Sequence, residues 1–378
     1  MVEVLKKLIK KCLVFILSRC NHNSIVFESI PDLSDNTKYV YDEMIRRGIN
    51  KKYKMIWLCK ENGTRPSVYN TKYVSQLSFG GLFSFFYVAK SKCIICCNTF
   101  IPSNGDYQKS IYLLHGLGFK DPGKYLAPDG INNSIGLSEI TNEYCAPALH
   151  LSVKNMLVTG FPRNDILFED TRDKVSSLFN KKYSKIIVWY PTYRQHVKGE
   201  VVNSTITLPI IHNMESAIKI NEMANKRNIL IVLKPHFSQD VSCFKKQNLS
   251  NITFIDDKFF EHNHMTSYEF VAGCDALITD YSSIYTDYLL CDKPVAAIWE
   301  DIEEYKAMRG FVVDIDYYMK GARKIYDVSD FVNFINEIGD DNDTMRISRH
   351  EITDVIHTYK DNKSTKRVVD FIVENYLN

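Results

Sequence analysis

Three short segments place reactive side chains directly after runs that read as buried strands, and a fourth, weaker one adds further polar groups. In HGLGFK, His115 follows SIYLL at 110–114, and an imidazole with an ordinary pKa of about 6.5 can take a proton near neutrality. Gly116 and Gly118 allow the backbone to approach a ligand closely. In KPH, Lys234 and His236 emerge together behind the apolar run ILIVL, a pairing suited to an anion. In ITDYSS, a strand ends at Asp280 and a helix opens at Ser282 and Ser283, where unpaired N–H groups, the helix dipole and two hydroxyls converge as they do at phosphate sites. GFPRND adds the donor fork of Arg163, with Asn164 and Asp165 able to cap the segment that follows. Each segment has a plainer reading: a turn histidine, a solvated loop, serines that merely cap a helix. Together, two histidines, a lysine, an arginine and a serine-rich helix start describe a cleft for a pyrophosphate-containing donor. Neither a Walker loop nor a GxGxxG fingerprint is present, which argues against a P-loop NTPase or a dinucleotide dehydrogenase.

The elements that must position these groups alternate β-rich and helical stretches, the pattern of βα units and parallel sheets. SIVFES, YKMIWLC, KCIICC and SIYLL read as strands of a first domain over 24–165, with a helix at TKYVYDEMIRRGIN. KIIVWYP, NILIVLKP, ITFID, CDALITD and PVAAIW read as strands of a second domain over 166–345, and 346–378 as two closing helices. Ligands of such sheets bind beyond the carboxyl ends of the strands, which is where HGLGFK, KPH and ITDYSS fall. The 378 residues suit two domains, and with 44 Tyr and Phe there is ample material for two cores. A formal charge of +2 leaves no nucleic-acid footprint. Cys93, Cys96 and Cys97 fall in an apolar run and read as buried thiols in a reducing compartment, not as a zinc site.

Residues 1–23 depart from the average. Lys6, Lys7, Lys10, Lys11 and Arg19 stand against Glu3 alone in the first 19 residues, and Leu5, Leu8, Ile9, Cys12 and Ile16 follow helical spacing. The run CLVFIL is too short to span a bilayer and no cleavage site is clear, so the segment reads as a basic amphipathic helix on an anionic cytoplasmic membrane surface, contacted through residues 1–20. A helix packed on the first domain is the alternative.

In order and spacing, IVFESIPDLSDNTKYVYDEM, KKYKMIWL, HGLGFK, GFPRND, WYPTYR, LKPH, LITDYSSIYTDYLLCDKPV and RGF resemble the CDP-glycerol glycerophosphotransferase family, whose members build teichoic-acid-type polymers. The resemblance implies an α/β fold of the GT-B type, two Rossmann-like domains with parallel sheets facing across a cleft. It implies transfer of glycerol phosphate from CDP-glycerol to a hydroxyl of a lipid-linked or polymeric glycan acceptor, with CMP released and no cofactor or metal. His115 then inherits the role of general base and His236 a catalytic place near the phosphates, while Lys234, Asp280, Ser282, Ser283 and Arg163 hold the donor phosphates. Gly116, Lys120, Asn164, Asp165, Arg194 and Arg309 are possible substrate contacts. Where the family commonly has HGTPLK, this chain has HGLGFK, so acceptor choice is expected to differ. The long N-terminal region of the large polymerases is missing, which favours single-unit addition or a capsule-type role. A UDP-sugar transferase or epimerase of the same shape, CDP-ribitol as donor, and an idle membrane-surface binding protein are the rival readings.

Overall fold

The computed structural model describes residues 23–61, 65–76, 82–123, 125–192, 208–235, 241, 244 and 249–378. The expected N-terminal helix, Arg194 and His236 lie outside the described residues. The chain divides into two compact units, one formed by residues up to Leu117, Pro122–Asp165 and Asp361–Asn378, the other by Gly118–Asp121 and Ile166–Lys360.

The first unit is built on a parallel sheet of seven strands: β1 (Ser24–Glu28), β2 (Lys54–Cys59), β3 (Thr71–Ser75), β4 (Cys93–Cys96), β5 (Lys109–Tyr112), β6 (Asn133–Gly136) and β7 (Met156–Val158). Their order is β3-β2-β1-β4-β5-β6-β7, so the winding reverses between β1 and β4. Val26 pairs with Ile56 on one side and Ile94 on the other, and these central strands are buried on both faces, which is why they read as continuous apolar runs. Phe27, Tyr41 and Trp57 pack ring against ring at 5.2–5.4 Å, fastening the helix Asp35–Arg46 to the sheet. That helix stops before the expected Asn50 because Gly48 takes a left-handed φ of 71°.

The second unit carries β8 (Lys185–Trp189), β9 (Ile229–Leu233), β10 (Ile252–Phe254), β11 (Ala276–Thr279), β12 (Val295–Ile298) and β13 (Arg323–Ile325), all parallel, in the order β10-β9-β8-β11-β12-β13. The winding reverses between β8 and β11. Trp189, Ile231, Leu233, Ile278, Phe331 and Phe334 share its core with the buried faces of Met214–Lys226 and Val328–Gly339.

Strands β3, β6, β7 and β13 escape the sequence pattern because they are three to five residues long and read TKYVS, NSIG, MLV and RKI, without the apolar run of a central strand. The two closing helices do not stay together. Arg346–Ile356 belongs to the second unit, whereas Ser364–Ile372 returns to the first. Asp165 accepts the N–H groups of Ser364 and Thr365, both at 2.9 Å, and so caps a helix two hundred residues downstream instead of the segment that follows it. The same return is fastened by Arg47 on Asp370 at 2.6 Å and by Tyr53, whose hydroxyl donates to the Leu377 carbonyl at 2.7 Å.

Asp165→Ala should therefore loosen the C-terminal helix from the first unit, lowering stability in urea unfolding by about 1–2 kcal/mol, the loss typical of an N-cap acceptor. An unchanged midpoint would show that the helix is held without this cap.

Candidate functional site

At a reversal of strand order neighbouring loops diverge, opening a crevice beyond the strand ends. In the first unit the residues at this crevice are Glu28 at the end of β1, Cys97–Thr99 after β4 and Leu113–Gly116 after β5. Glu28 is fully buried, and its Oε2 accepts three successive N–H groups, from Cys97, Asn98 and Thr99 at 3.3, 3.2 and 3.1 Å. Leu114 sits at φ +50°, a region that a branched side chain occupies at a cost of about 1–2 kcal/mol. Asn36 holds it there: the carboxamide nitrogen donates to the carbonyls of Leu113 at 3.1 Å and Leu114 at 2.7 Å, while its oxygen accepts the Arg163 N–H at 3.0 Å. The Cys97 thiol donates to the same Leu114 carbonyl.

These constraints present His115 with its ring exposed. The Tyr112 hydroxyl stands 3.4 Å from Nδ1, and Tyr125 meets the ring edge-on with centroids 6.3 Å apart. Desolvation by the dense protein beneath the ring lowers its pKa below 6.5; Asp35 opposes that shift and Arg163 reinforces it. An exposed imidazole that is neutral at pH 7 is suited to accept a proton. Gly116 follows at φ +144°, a conformation that lets the chain turn directly after the histidine.

In the second unit the equivalent carboxylate is Asp280, at the end of β11. It is fully buried and accepts both the N–H of Thr192 at 2.6 Å and the Thr192 hydroxyl, while Thr279 Oγ1 donates to the Tyr190 carbonyl. The loop after β8 is thereby clamped to the loop after β11. Residues Gly118–Asp121 lie here as an extended segment: Lys120 bridges antiparallel to Phe311, and Phe119 packs on Tyr285 and Tyr318. Lys120 Nζ reaches to 3.4 Å from Thr192 Oγ1 and lies 5.7 Å from the Tyr305 ring centroid. HGLGFK thus supplies an imidazole to one unit and an ammonium to the other.

The remaining anticipated residues fall as follows. Ser282 and Ser283 are half-buried beyond Asp280, but the helix after them, Ile284–Tyr288, has only five residues, so its dipole is small. Lys234 is half-buried and pairs with Asp257 at 3.0 Å, and exposed Arg309 lies with its Nε 3.5 Å from the Asp121 carbonyl. Asp280 itself does not fit the phosphate-binding role: a buried carboxylate repels an anion, and its oxygens are engaged in holding Thr192. Arg163 belongs to the first unit, where its buried Nη1 donates to Asp35 and to the His115 carbonyl, both at 2.8 Å. That guanidinium supports the histidine loop. Asn164 is buried, and Asp165 is engaged with the C-terminal helix, its carboxyl pushed up by burial against the pull of Thr365 and Ser364. Sequence reasoning passed over Glu28, Asp35, Asn36, Tyr112, Tyr125 and Thr192. A signal existed for three of them: Glu28 is a lone charge ending the buried run SIVFE, and Asp35 and Asn36 lie in the cap-like DLSDN.

Residues 11–374 match the family model for CDP-glycerol:poly(glycerophosphate) glycerophosphotransferase. The chain is 27% identical to the teichoic acid ribitol-phosphate polymerase TarK of Staphylococcus aureus over 367 residues, covering 90% of this chain and 66% of that protein. It is 24% identical to the teichoic acid glycerol-phosphate primase of Bacillus subtilis over 247 residues, 65% of this chain and 57% of the primase. It thus spans between about half and two thirds of these relatives' length. A crystal structure of the wall teichoic acid polymerase TagF soaked with CDPG superposes with a TM-score of 0.70 at 17% identity, covering 100% of this chain and 95% of that one, which supports the two-Rossmann-domain fold of GT-B type.

Asn36→Ala should cost about 3 kcal/mol in urea unfolding, since it removes the donors to two loop carbonyls and strands the buried Arg163 N–H. A loss below about 1 kcal/mol would show that Leu114 keeps its conformation without the carboxamide.

Proposed function

The chain belongs to the CDP-glycerol:poly(glycerophosphate) glycerophosphotransferase family, and from that premise we propose that it transfers glycerol phosphate from CDP-glycerol to a hydroxyl of a glycan or teichoic-acid-type acceptor. The observation that carries this reading is His115, an exposed imidazole with a depressed pKa at the strand-order reversal of the first sheet. In the reaction the acceptor oxygen attacks the phosphorus that bears glycerol, His115 takes the hydroxyl proton, and the bond to the bridging oxygen breaks, releasing CMP. Phosphoryl transfer of this kind rests on positioning and charge stabilisation. Lys120 and Lys234, with the hydroxyls of Ser282 and Ser283, are the groups of the second unit proposed to meet the donor phosphates, with His236 beside Lys234 in sequence. Ribitol phosphate is the competing cargo, favoured by the similarity to TarK.

Among the described residues no helix is long and apolar enough to cross a membrane. Attachment to an anionic membrane surface is proposed to come from the lysines of residues 1–20. Sedimentation with anionic vesicles, lost on reversing Lys6, Lys7, Lys10 and Lys11 to Glu, checks it; retention by the charge-reversed protein would exclude it.

Incubation with CDP-glycerol, CDP-ribitol and UDP-sugars, each with an acceptor, should release CMP from one or both CDP-polyols and no UDP; release of UDP alone would overturn the reading. His115→Ala should lower kcat by about a hundredfold or more while leaving donor affinity unchanged. A base works when deprotonated, so kcat/KM should rise with pH and reach its plateau with an apparent pKa below the ordinary histidine value of about 6.5. Lys120→Ala should weaken donor binding about ten- to a hundredfold by calorimetry, the worth of one charge-assisted hydrogen bond.

A further inference from the structure

Behind the His115 ring stand two hydroxyls to which the proposed reaction assigns no part. The Tyr112 hydroxyl lies 3.4 Å from Nδ1 of the ring and 3.3 Å from the Tyr125 hydroxyl, which donates in turn to the Asn98 carbonyl. All four residues belong to the first unit. Phe100 fixes the hydroxyl pair by packing on both rings, with centroids 4.2 Å from Tyr112 and 4.9 Å from Tyr125. The carbonyl that ends the chain is held as well, because Asn98 gives its N–H to Glu28 at 3.2 Å and accepts the Ile30 N–H on its side-chain oxygen at 2.8 Å.

Counting protons gives this chain a direction. Burial raises the pKa of both phenols, so near pH 7 each carries one proton to donate. A carbonyl can only accept. The Tyr125 proton therefore goes to Asn98, the Tyr125 oxygen is left to accept from Tyr112, and the Tyr112 oxygen is left to accept from Nδ1–H. No other placement of the protons makes all three bonds. We propose that Tyr112 and Tyr125 are positioning residues for His115, a relay of hydroxyls ending on the Asn98 carbonyl that keeps the imidazole in its Nδ1–H tautomer and leaves Nε2 to take the acceptor's proton. The hydrogen bond made by one ring nitrogen decides which nitrogen is free to react. As Nε2 is protonated, the charge on the ring strengthens donation from Nδ1, and each hydroxyl passes that polarisation to the next, because hydrogen bonds in a chain reinforce one another inside a protein. No proton leaves by this route. The two hydroxyl contacts are longer than the roughly 2.7–3.2 Å of a settled bond, as contacts of catalytic groups often are until substrate binds. The other titratable groups around the ring are Asp35 of the helix Asp35–Arg46, Arg163 of Pro162–Phe168, Glu28 of β1 and the Cys97 thiol after β4, which donates to the Leu114 carbonyl. All four are left unchanged by the test.

The inference rests on His115 being the base, and its test separates the two. In the full chain with nitrogen-labelled histidine, the ring signals of His115 are identified by their absence from His115→Gln and read at a pH where the ring is neutral. The parent should show the Nδ1–H tautomer. Tyr112→Phe removes the acceptor for that proton, so the tautomers should mix. Tyr125→Phe changes no atom in hydrogen-bond contact with the ring, yet it should turn the tautomer over to Nε2–H, because the Tyr112 proton loses its acceptor and rotates onto Nδ1. Both variants lose a bond that favours the protonated ring, so the His115 pKa should fall and the acid limb of kcat/KM should move to lower pH. With CDP-glycerol, kcat should fall about tenfold with KM little changed, a part of the hundredfold or more that a general base supplies. A parent ring found mainly as Nε2–H overturns the proposal, and so does a tautomer that Tyr125→Phe leaves unchanged. If the tautomers behave as described while the parent turns over no CDP-polyol, the relay stands and the assigned reaction fails. Should Tyr112→Phe not fold, the parent spectrum and Tyr125→Phe, at a ring 40% exposed, decide by the same outcomes.

Discussion

Each sheet depends on one buried carboxylate at the place where its strand order reverses. A parallel sheet that winds outward in both directions from its first strand leaves two loops diverging at the centre, and the backbone N–H groups that open there have no neighbouring strand to receive them. Glu28 takes three of them after β4, and Asp280 takes that of Thr192 after β8. Burying a carboxylate is expensive unless it is hydrogen-bonded, and several N–H donors are what offset the loss of water. The same solution is used in both units with the carboxylate on opposite sides of the reversal: on the first strand of the sheet in one case, on the strand beyond the switch in the other.

The loop bearing His115 is strained and fully partnered at once. Leu114 is held at positive φ, and both it and Leu113 have their carbonyls bonded by Asn36, whose oxygen also receives the Arg163 amide. Arg163 in turn holds the His115 carbonyl and the Asp35 carboxylate. Strain of this kind persists only where the surroundings over-determine it. Here the constraint acts on the backbone immediately before a side chain that is itself left exposed, so rigidity of the main chain and access to the ring are obtained together.

The strand-ending segments were legible in the sequence because a run such as SIYLL or ILIVL must be buried and the polar residue after it must lie at the sheet's edge. The partners of those residues were not. The fork of Arg163 suggested an anion, and Asp35, 128 residues away, supplies a carboxylate to it; Asp165 suggested a local cap, but the helix that it caps begins 199 residues on. Charge and spacing describe what a side chain offers. Whether it is offered to a ligand or to the fold depends on which distant groups arrive beside it.

By itself, then, the sequence determined the alternation of strands and helices, the two parallel sheets and the set of polar segments at their ends, since these follow from local periodicity and the burial of apolar runs. Only the tertiary structure decided that HGLGFK contributes His115 to one unit and Lys120 to the other, that the last helix rejoins the first unit, and that Glu28 gathers the N–H groups of Cys97–Thr99. The physical reason is that hydrogen-bond satisfaction of buried groups is a long-range condition: an N–H or a carboxylate withdrawn from water must find a partner in space, and nothing in its neighbouring residues records which partner that is.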